Sequence, residues 1–68
     1  MQVTLNGEEQ TLADGLTLED LLCQNNVGSS QKGVAVAINA EVVPKGGWAD
    51  VRLEPGDRVD VIHAVQGG

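Results

Sequence analysis

Hydrophobic and polar positions alternate at the beginning of the chain. Val3 and Leu5 each lie between polar residues, which is the period of a half-buried strand. The dipeptide Asn6-Gly7 follows, and it is typical of a tight hairpin turn because both residues tolerate positive φ angles. The pattern predicts a return strand over residues 9–12, so the first element is a β-hairpin.

The hydrophobic period changes to that of a helix after the break at Asp14-Gly15. The apolar positions with helical spacing are Leu18, Leu21 and Leu22. Thr17 is placed to cap the helix N-terminus, and Asp20 three residues later gives an imperfect capping box, with Asp in place of Glu. We expect the helix to end near Asn25-Asn26 and Gly28, with a polar surface loop running on to residue 33.

An uninterrupted apolar run over residues 34–38 predicts a central strand that is buried on both faces. A turn at Asn39-Ala40 and a short strand over residues 41–43 follow. Pro44 ends that short strand, because proline has no N–H to donate to a sheet.

The last third of the chain predicts one more long strand. We expect a flexible loop over residues 45–47, then a core position for Trp48, the only aromatic residue. A turn at residues 54–57 precedes the final strand, which is predicted to run from Arg58 to about Val65.

These elements together predict an α+β fold of the β-grasp type. One main helix covers one face of a mixed sheet of about four to five strands. In a β-grasp the first and last strands pair in parallel at the centre of the sheet. We expect a single domain over residues 1–66 and a flexible Gly-Gly tail at residues 67–68.

The charge balance narrows the choice of partners. The 68 residues carry a formal net charge of −6, from ten acidic and four basic side chains. This balance argues against nucleic acid and against an anionic membrane surface, since both require clustered Lys and Arg. No apolar run reaches the roughly 20 residues of a membrane-spanning helix, and no signal peptide is predicted, so we expect a cytoplasmic protein.

The residues that could act in catalysis are isolated. Cys23 is the only cysteine and His63 the only histidine, so the sequence offers neither a metal-ligand cluster nor a nucleophile–base pair. Cys23 is interpreted as a packed or partly exposed helix residue. His63 is interpreted as a strand-end side chain on the same face as Val59 and Val61. We therefore predict no catalytic residue, no metal and no enzymatic activity of the chain itself.

The closing Gly67-Gly68 is the strongest functional signal. A terminal carboxylate can attack the α-phosphate of ATP to give an acyl-adenylate. Glycines suit a tail that threads into a narrow site, because no Cβ obstructs it and the backbone adopts many conformations. The chain has no phosphate-binding glycine loop, so a separate enzyme must use the ATP and no cofactor is expected on the chain itself.

The residues also resemble those of the ThiS family, the ubiquitin-like sulfur carriers of thiazole formation in thiamine biosynthesis. The similarity covers essentially the whole chain. It is carried by Leu5-Asn6-Gly7, by the segment 34–39, by Val43-Pro44 with Trp48, by the segment 56–59 and by Gly67-Gly68.

This resemblance implies a function and a set of partners. An adenylyltransferase of the ubiquitin-activating type would adenylate Gly68, and a sulfur donor such as a cysteine desulfurase relay would displace AMP. Thiazole synthase would consume the resulting thiocarboxylate. Gly67 would give access to the partner's site, and Val65 and Gln66 would line its channel.

Three alternatives stay open at the level of the sequence. The small subunit of molybdopterin synthase shares the fold and the tail, although this chain lacks phenylalanine and has Ala64-Val65-Gln66 before its glycines. A carrier for cysteine synthesis is a second alternative. A non-covalent β-grasp binding module is a third, and the Gly-Gly end argues against it.

Overall fold

The computed structural model describes residues 1–28 and 32–63. Within these residues the chain forms one α-helix, one 3₁₀ helix and five strands. In chain order they are β1 (Gln2–Leu5), β2 (Glu8–Thr11), α1 (Leu18–Gln24), β3 (Val34–Ile38), β4 (Glu41–Val43), the 3₁₀ helix (Lys45–Asp50) and β5 (Arg58–His63). No helix in the described ranges is long and apolar enough to cross a membrane.

The five strands form one sheet in the order β2-β1-β5-β3-β4. The first strand, β1, pairs in parallel with the last, β5, at the centre of the sheet. The other neighbours are antiparallel, and the β1–β2 and β3–β4 pairs are tight hairpins. The mixed sheet with a parallel central pair confirms the predicted β-grasp architecture.

Both hairpins turn through residues with positive φ. Asn6 and Gly7 have φ angles of 50° and 84°, and Asn39 and Ala40 have 50° and 69°. Two consecutive positive φ angles give the turn the twist that matches right-handed strands. The turns predicted at both dipeptides are confirmed.

The predicted capping box opens α1. The Thr17 side chain accepts a hydrogen bond from Asp20 N at 3.2 Å, and the Asp20 carboxylate accepts one from Thr17 N at 3.0 Å. The hydrogen bond that the Thr17 backbone donates to the Asp20 carboxylate, and after it a hydrogen bond between the Thr17 side chain and that carboxylate, hold the pKa of Asp20 below its ordinary value of 3.8. At the other end the helix stops at Gln24, close to the predicted Asn25-Asn26, and Asn26 has a φ of 62°, a left-handed conformation that the polar Asn side chain tolerates.

The core lies between α1 and one face of the sheet. Leu18, Leu21 and Leu22 are fully buried, which confirms the predicted apolar face of the helix. Opposite them lie strand residues of the core, among them Val3, Leu5, Val34, Val36 and Val59. Burial of these branched side chains is the main stabilising term available to a domain of this size.

Trp48 closes one side of this core, as predicted, but the segment before it is not a flexible loop. Residues Lys45–Asp50 form a 3₁₀ helix, which turns the chain back so that the indole is 1% exposed. The indole Nε1 donates a hydrogen bond to the carbonyl of Val43 at 3.1 Å. A tight helical turn is needed because the indole has to bury its rings and still reach this acceptor.

The prediction that β3 is buried on both faces holds only in part, because the open-face residue Ala37 is 9% exposed whereas Ala35 is exposed. β3 is the second strand from the sheet edge, β5 holds the centre, and Ala35 of β3 is exposed. A single helix covers one face only, so the alternate positions of β3 meet the core on one side and lie on the open face on the other. Val34 and Val36 point to the core, and Ala35 does not.

This placement predicts opposite effects for neighbouring substitutions in β3. Val36→Asp puts an unpaired carboxylate among buried apolar side chains, at a cost of several kcal/mol. The whole chain is expected to be stable by about 3–10 kcal/mol, given its length. We expect Val36→Asp to abolish the cooperative melting transition seen by circular dichroism, and the matched variant Ala35→Asp to keep it. Equal melting curves for the two variants would contradict the assigned faces.

Candidate functional site

The residues predicted to carry the function lie outside the described ranges. Val65, Gln66, Gly67 and Gly68 all follow the last described residue, His63, at the end of β5. The part of the site that the structure shows is therefore the C-terminal end of β5 and the surfaces around it.

Two asparagines hold β5 in place. Asn39, in the β3–β4 turn, accepts a hydrogen bond from Arg58 N through its side chain at 3.0 Å and donates its own N–H to the Arg58 carbonyl at 2.7 Å. Asn6, in the β1–β2 turn, donates its N–H to the Val59 carbonyl at 2.9 Å and accepts from Val61 N through its side chain at 2.8 Å. β5 is thus fixed at its start and near its end by the two hairpin turns.

The hydrogen bond from Val61 N to the Asn6 side chain extends the parallel pairing of β1 with β5. β1 ends at Leu5, so its backbone has no further group to offer to Val61. The Asn6 side chain supplies the acceptor instead, across a separation of 55 residues in sequence. From the sequence, Asn6 was expected only in the turn, because no neighbouring residue indicates that its side chain bonds to a backbone N–H 55 residues away. This bond keeps the strand that leads to the tail aligned with the sheet.

His63 lies on the helix-side face of β5, as predicted, and is exposed at the strand end. It borders a shallow groove of about 280 Å³ between the β1–β2 hairpin and the end of α1. The residues lining the groove are Leu5, Asn6, Glu8, Gln10, Asn25, Val27, Val61 and His63. Among the described residues that line the groove there is no cysteine, serine or lysine that could act as a nucleophile beside His63. The groove is a recess of mixed polar and apolar side chains beside the C-terminal end of β5.

Cys23 lies exposed on α1, next to the buried Leu22. Cys23 was interpreted as a packed or partly exposed helix residue, and of these two the structure shows the exposed one. Within residues 1–28 and 32–63, no three His, Cys, Asp or Glu side chains come close enough together to hold a metal ion.

The open face of the sheet carries a feature that the sequence did not reveal. Val42 and Ile62 are 69% and 58% exposed. In the strand register Val42 is paired with Ala37, and Ile62 with Ala35, so all four side chains share the face away from α1. We call Ala35, Ala37, Val42 and Ile62 the open-face patch. Only the pairing of three strands brings these residues together.

The open-face patch is bordered by an ion pair on β5. Arg58 Nε lies 3.1 Å from the Asp60 carboxylate, on the same face as Ile62. Both side chains are partly exposed, so the pair contributes little to stability. The two opposite charges of the pair offset each other on this face of the sheet.

Comparisons with known proteins identify similar chains over the full length of this one. The sequence model of the ThiS family matches residues 3–68. The Escherichia coli sulfur carrier protein ThiS is 34% identical, and the alignment covers 100% of both chains. The crystal structure of the thiamine biosynthesis protein ThiS from Geobacter metallireducens superposes with a TM-score of 0.82, at 28% identity and with both chains fully covered.

A further relative is much longer than this chain. A thiazole synthase from Paramagnetospirillum magneticum is 35% identical over 68 residues. The alignment takes in 100% of this chain but only 20% of that protein. A segment like this chain is therefore part of a polypeptide about five times as long.

The role of Asn6 predicts a difference between two variants. Asn6→Ala removes the acceptor for Val61 N and places a Cβ-bearing residue without a polar side chain at φ 50°. We expect it to lower the free energy of unfolding by about 1–2 kcal/mol. Asn6→Gly loses the same acceptor but tolerates the turn, so it should be the milder change.

Denaturant unfolding and hydrogen exchange of the Val61 amide check this prediction. Both variants should speed exchange at Val61, because its N–H loses the bond that protects it. Unchanged protection at Val61 in both would show that the Asn6 side chain does not hold β5.

Proposed function

The chain belongs to the ThiS family, the sulfur carriers of thiamine biosynthesis, and we propose that its Gly68 carries the sulfur as a thiocarboxylate. The observation that supports this proposal is the alignment with the Escherichia coli carrier, which covers 100% of both chains and therefore includes Gly67 and Gly68. The family match favours the thiamine carrier over the molybdopterin and cysteine-synthesis carriers, and over a non-covalent binding module.

The proposed chemistry needs two steps at one carboxylate. Gly68 first attacks the α-phosphate of ATP in a partner enzyme, releasing pyrophosphate and forming an acyl-adenylate. A sulfur nucleophile then attacks the acyl carbon and AMP leaves. A donor at the oxidation level of sulfide gives the thiocarboxylate directly. A persulfide donor gives an acyl disulfide, from which a thiol must supply two electrons to release the thiocarboxylate.

The chain's own part is to present the tail. β5 is the central strand, paired on both sides and tied by Asn6 close to its end. A tail that starts from such a strand has a fixed origin, which lowers the entropy lost when a partner takes it up. In this proposal Gly67 gives access to a narrow site, and Val65 and Gln66 line the partner's channel.

The proposed partners supply what the chain lacks. They are an adenylyltransferase of the ubiquitin-activating type, which uses the ATP, a sulfur donor such as a cysteine desulfurase relay, and thiazole synthase as the acceptor. The relative named thiazole synthase supports the last of these, because it contains a segment similar to this whole chain. We place these reactions in the cytoplasm, where reducing conditions preserve a thiocarboxylate and the exposed thiol of Cys23.

Removing Gly68 tests the proposal. In a reconstituted reaction with the partner enzymes, ATP and a sulfur source, we expect the variant lacking Gly68 to form no thiazole. Its melting curve should match that of the full chain, because the deletion leaves every residue of the core cluster in place. Thiazole formation by the truncated chain at the wild-type rate would refute Gly68 as the sulfur-bearing residue.

Substituting Cys23 distinguishes a carrier that holds sulfur on its C-terminal carboxylate from one that holds sulfur on the Cys23 thiol. The Cys23 side chain is exposed and its loss leaves no buried cavity, so Cys23→Ser should change stability by less than about 0.5 kcal/mol. We expect sulfur loading and thiazole formation to continue at the wild-type rate. Loss of sulfur loading in a variant that melts normally would make Cys23 part of the transfer route.

A further inference from the structure

Asn6 combines a reactive sequence with a structural task. The chain has four asparagines, and only Asn6 is followed by a glycine. The side-chain amide of an asparagine is an electrophile, and the backbone nitrogen of the next residue is placed to close a succinimide ring with it. A Cβ on that next residue obstructs ring closure, and Gly7 has none. The dipeptide Asn6-Gly7 is therefore where this intramolecular reaction meets the least steric resistance.

The surroundings of this dipeptide leave room for the ring to close. Asn6 and Gly7 are both exposed in the β1–β2 turn. Gly7 has a φ of 84°, and beyond its chain neighbours no heavy atom of the described residues lies within 4 Å of where a Cβ on Gly7 would stand. Movement of the Gly7 nitrogen towards the Asn6 side chain is thus not blocked by packing.

A backbone donor already contacts the atom on which charge develops in this reaction. Val61 N donates a hydrogen bond to the side-chain oxygen of Asn6, Oδ1, at 2.8 Å. When the Gly7 nitrogen attacks Asn6 Cγ, negative charge moves onto Oδ1, and a donor that is fixed there stabilises the intermediate. The bond that anchors β5 therefore also polarises the amide.

Asn39 is an internal comparison, because it has the same position in the β3–β4 turn. Its φ is also 50°, it is also exposed, and its side chain accepts from Arg58 N at 3.0 Å. Two features distinguish it from Asn6. It is followed by Ala40, whose Cβ obstructs ring closure, and its Nδ2 donates to the Asp57 carboxylate at 3.1 Å, which holds the leaving nitrogen in place. We therefore expect Asn39 to be the less reactive of the two.

We propose that Asn6 is a modification site, at which the folded carrier converts spontaneously to an isoaspartate form that presents its tail poorly. The Gly7 nitrogen bonds to Asn6 Cγ, the bond from Cγ to the side-chain nitrogen breaks, and ammonia leaves with the proton that the Gly7 nitrogen gives up through water. Water then opens the succinimide. Cleavage between Cγ and the Gly7 nitrogen gives aspartate, and cleavage between the backbone carbonyl carbon and that nitrogen gives isoaspartate. One water is consumed, one ammonia is released, and no atom is oxidised or reduced.

The isoaspartate form loses the anchor of β5. Its main chain runs through the former Cγ, so the β1–β2 turn gains one backbone atom and the carbonyl that accepted from Val61 N becomes part of the main chain. The turn also loses the pair of positive φ angles that matches the twist of its strands. The functional consequence rests on the proposed function: a loosened β5 gives the tail a less fixed origin, so more entropy is lost when the activating enzyme takes it up.

Ageing of the folded chain tests the modification site. The full chain is kept at mildly alkaline pH, intact mass spectrometry follows the replacement of NH₂ by OH, and peptide fragmentation assigns each change to a residue. We expect conversion at Asn6 to be at least about tenfold faster than at Asn39, because only Asn6 precedes a glycine. Ala40→Gly gives Asn39 a following glycine, at a φ of 69° that glycine adopts readily, and should raise the rate of conversion at Asn39.

Two results would overturn the site. One is conversion at Asn6 that is no faster than at Asn39 in the folded chain, or that occurs only in denaturant, because the fold would then protect Asn6. The other is an Asn39 that stays intact in Ala40→Gly, because the following glycine would then not explain the difference.

The functional consequence is measured on separated forms of the full chain. The isoaspartate form is purified from aged protein by ion exchange. Asn6→Asp is the matched control, since it has the same added charge but keeps an acceptor for Val61 N at a φ that Asp tolerates. Hydrogen exchange of the Val61 amide reports the anchor, and sulfur loading by the activating enzyme, ATP and a sulfur donor reports the tail.

We expect the isoaspartate form to exchange faster at Val61 and to be loaded with a kcat/KM at least about threefold lower than that of fresh protein. Asn6→Asp should stay within about twofold of fresh protein in both measurements, because the anchor remains.

The outcomes separate this inference from the function on which it rests. An isoaspartate form that is loaded as well as Asn6→Asp would overturn the functional consequence. Fresh protein that is never loaded, in a reaction that loads a known carrier, would refute the carrier function, whereas conversion at Asn6 would still be seen by mass.

Discussion

The parallel pairing of β1 with β5 is the constraint on which the rest of the structure depends. It joins the first strand of the chain to the last, and the Asn6 side chain extends it to Val61 across 55 residues. Such a long-range contact has a high entropic cost and must be secured by neighbours. The β1–β2 hairpin supports one side and the β3–β4 hairpin the other, and the asparagine of each turn bonds to β5. The origin of the tail is fixed as a result.

The second constraint is that one short helix covers a five-stranded sheet. The seven residues of α1 shield only one face, and Trp48 fills the side that the helix leaves. Among the described residues, the opposite face of the sheet has no element packed on it. With one short helix, this small carrier has a core on one face of its sheet and an open surface on the other face. The same strands therefore hold the core and present Ile62 and Val42 outward.

Local patterns were sufficient to predict much of this fold. Some elements are specified by a few neighbouring residues. They are the first hairpin turn at Asn6-Gly7, the start of α1 at Thr17 and the strand β3 at residues 34–38. The features that were predicted wrongly or not at all depend on contacts with residues far away in the sequence. The 3₁₀ helix at 45–50 forms because Trp48 must reach the core and the Val43 carbonyl. The exposure of Ala35 and the open-face patch follow from strand order, which an apolar run does not encode. Gly68 and the three residues before it stay predictions, since they lie outside the described ranges.

Intact mass spectrometry tests most directly whether sulfur is held on the carboxylate of Gly68. The chain is incubated with the activating enzyme, ATP and a sulfur donor, then fragmented to locate any added mass. The account predicts one exchange of oxygen for sulfur, confined to Gly68, and its complete absence when ATP is omitted. A chain that gains no mass in a reaction that loads a known carrier, or that gains it at Cys23, would contradict the account.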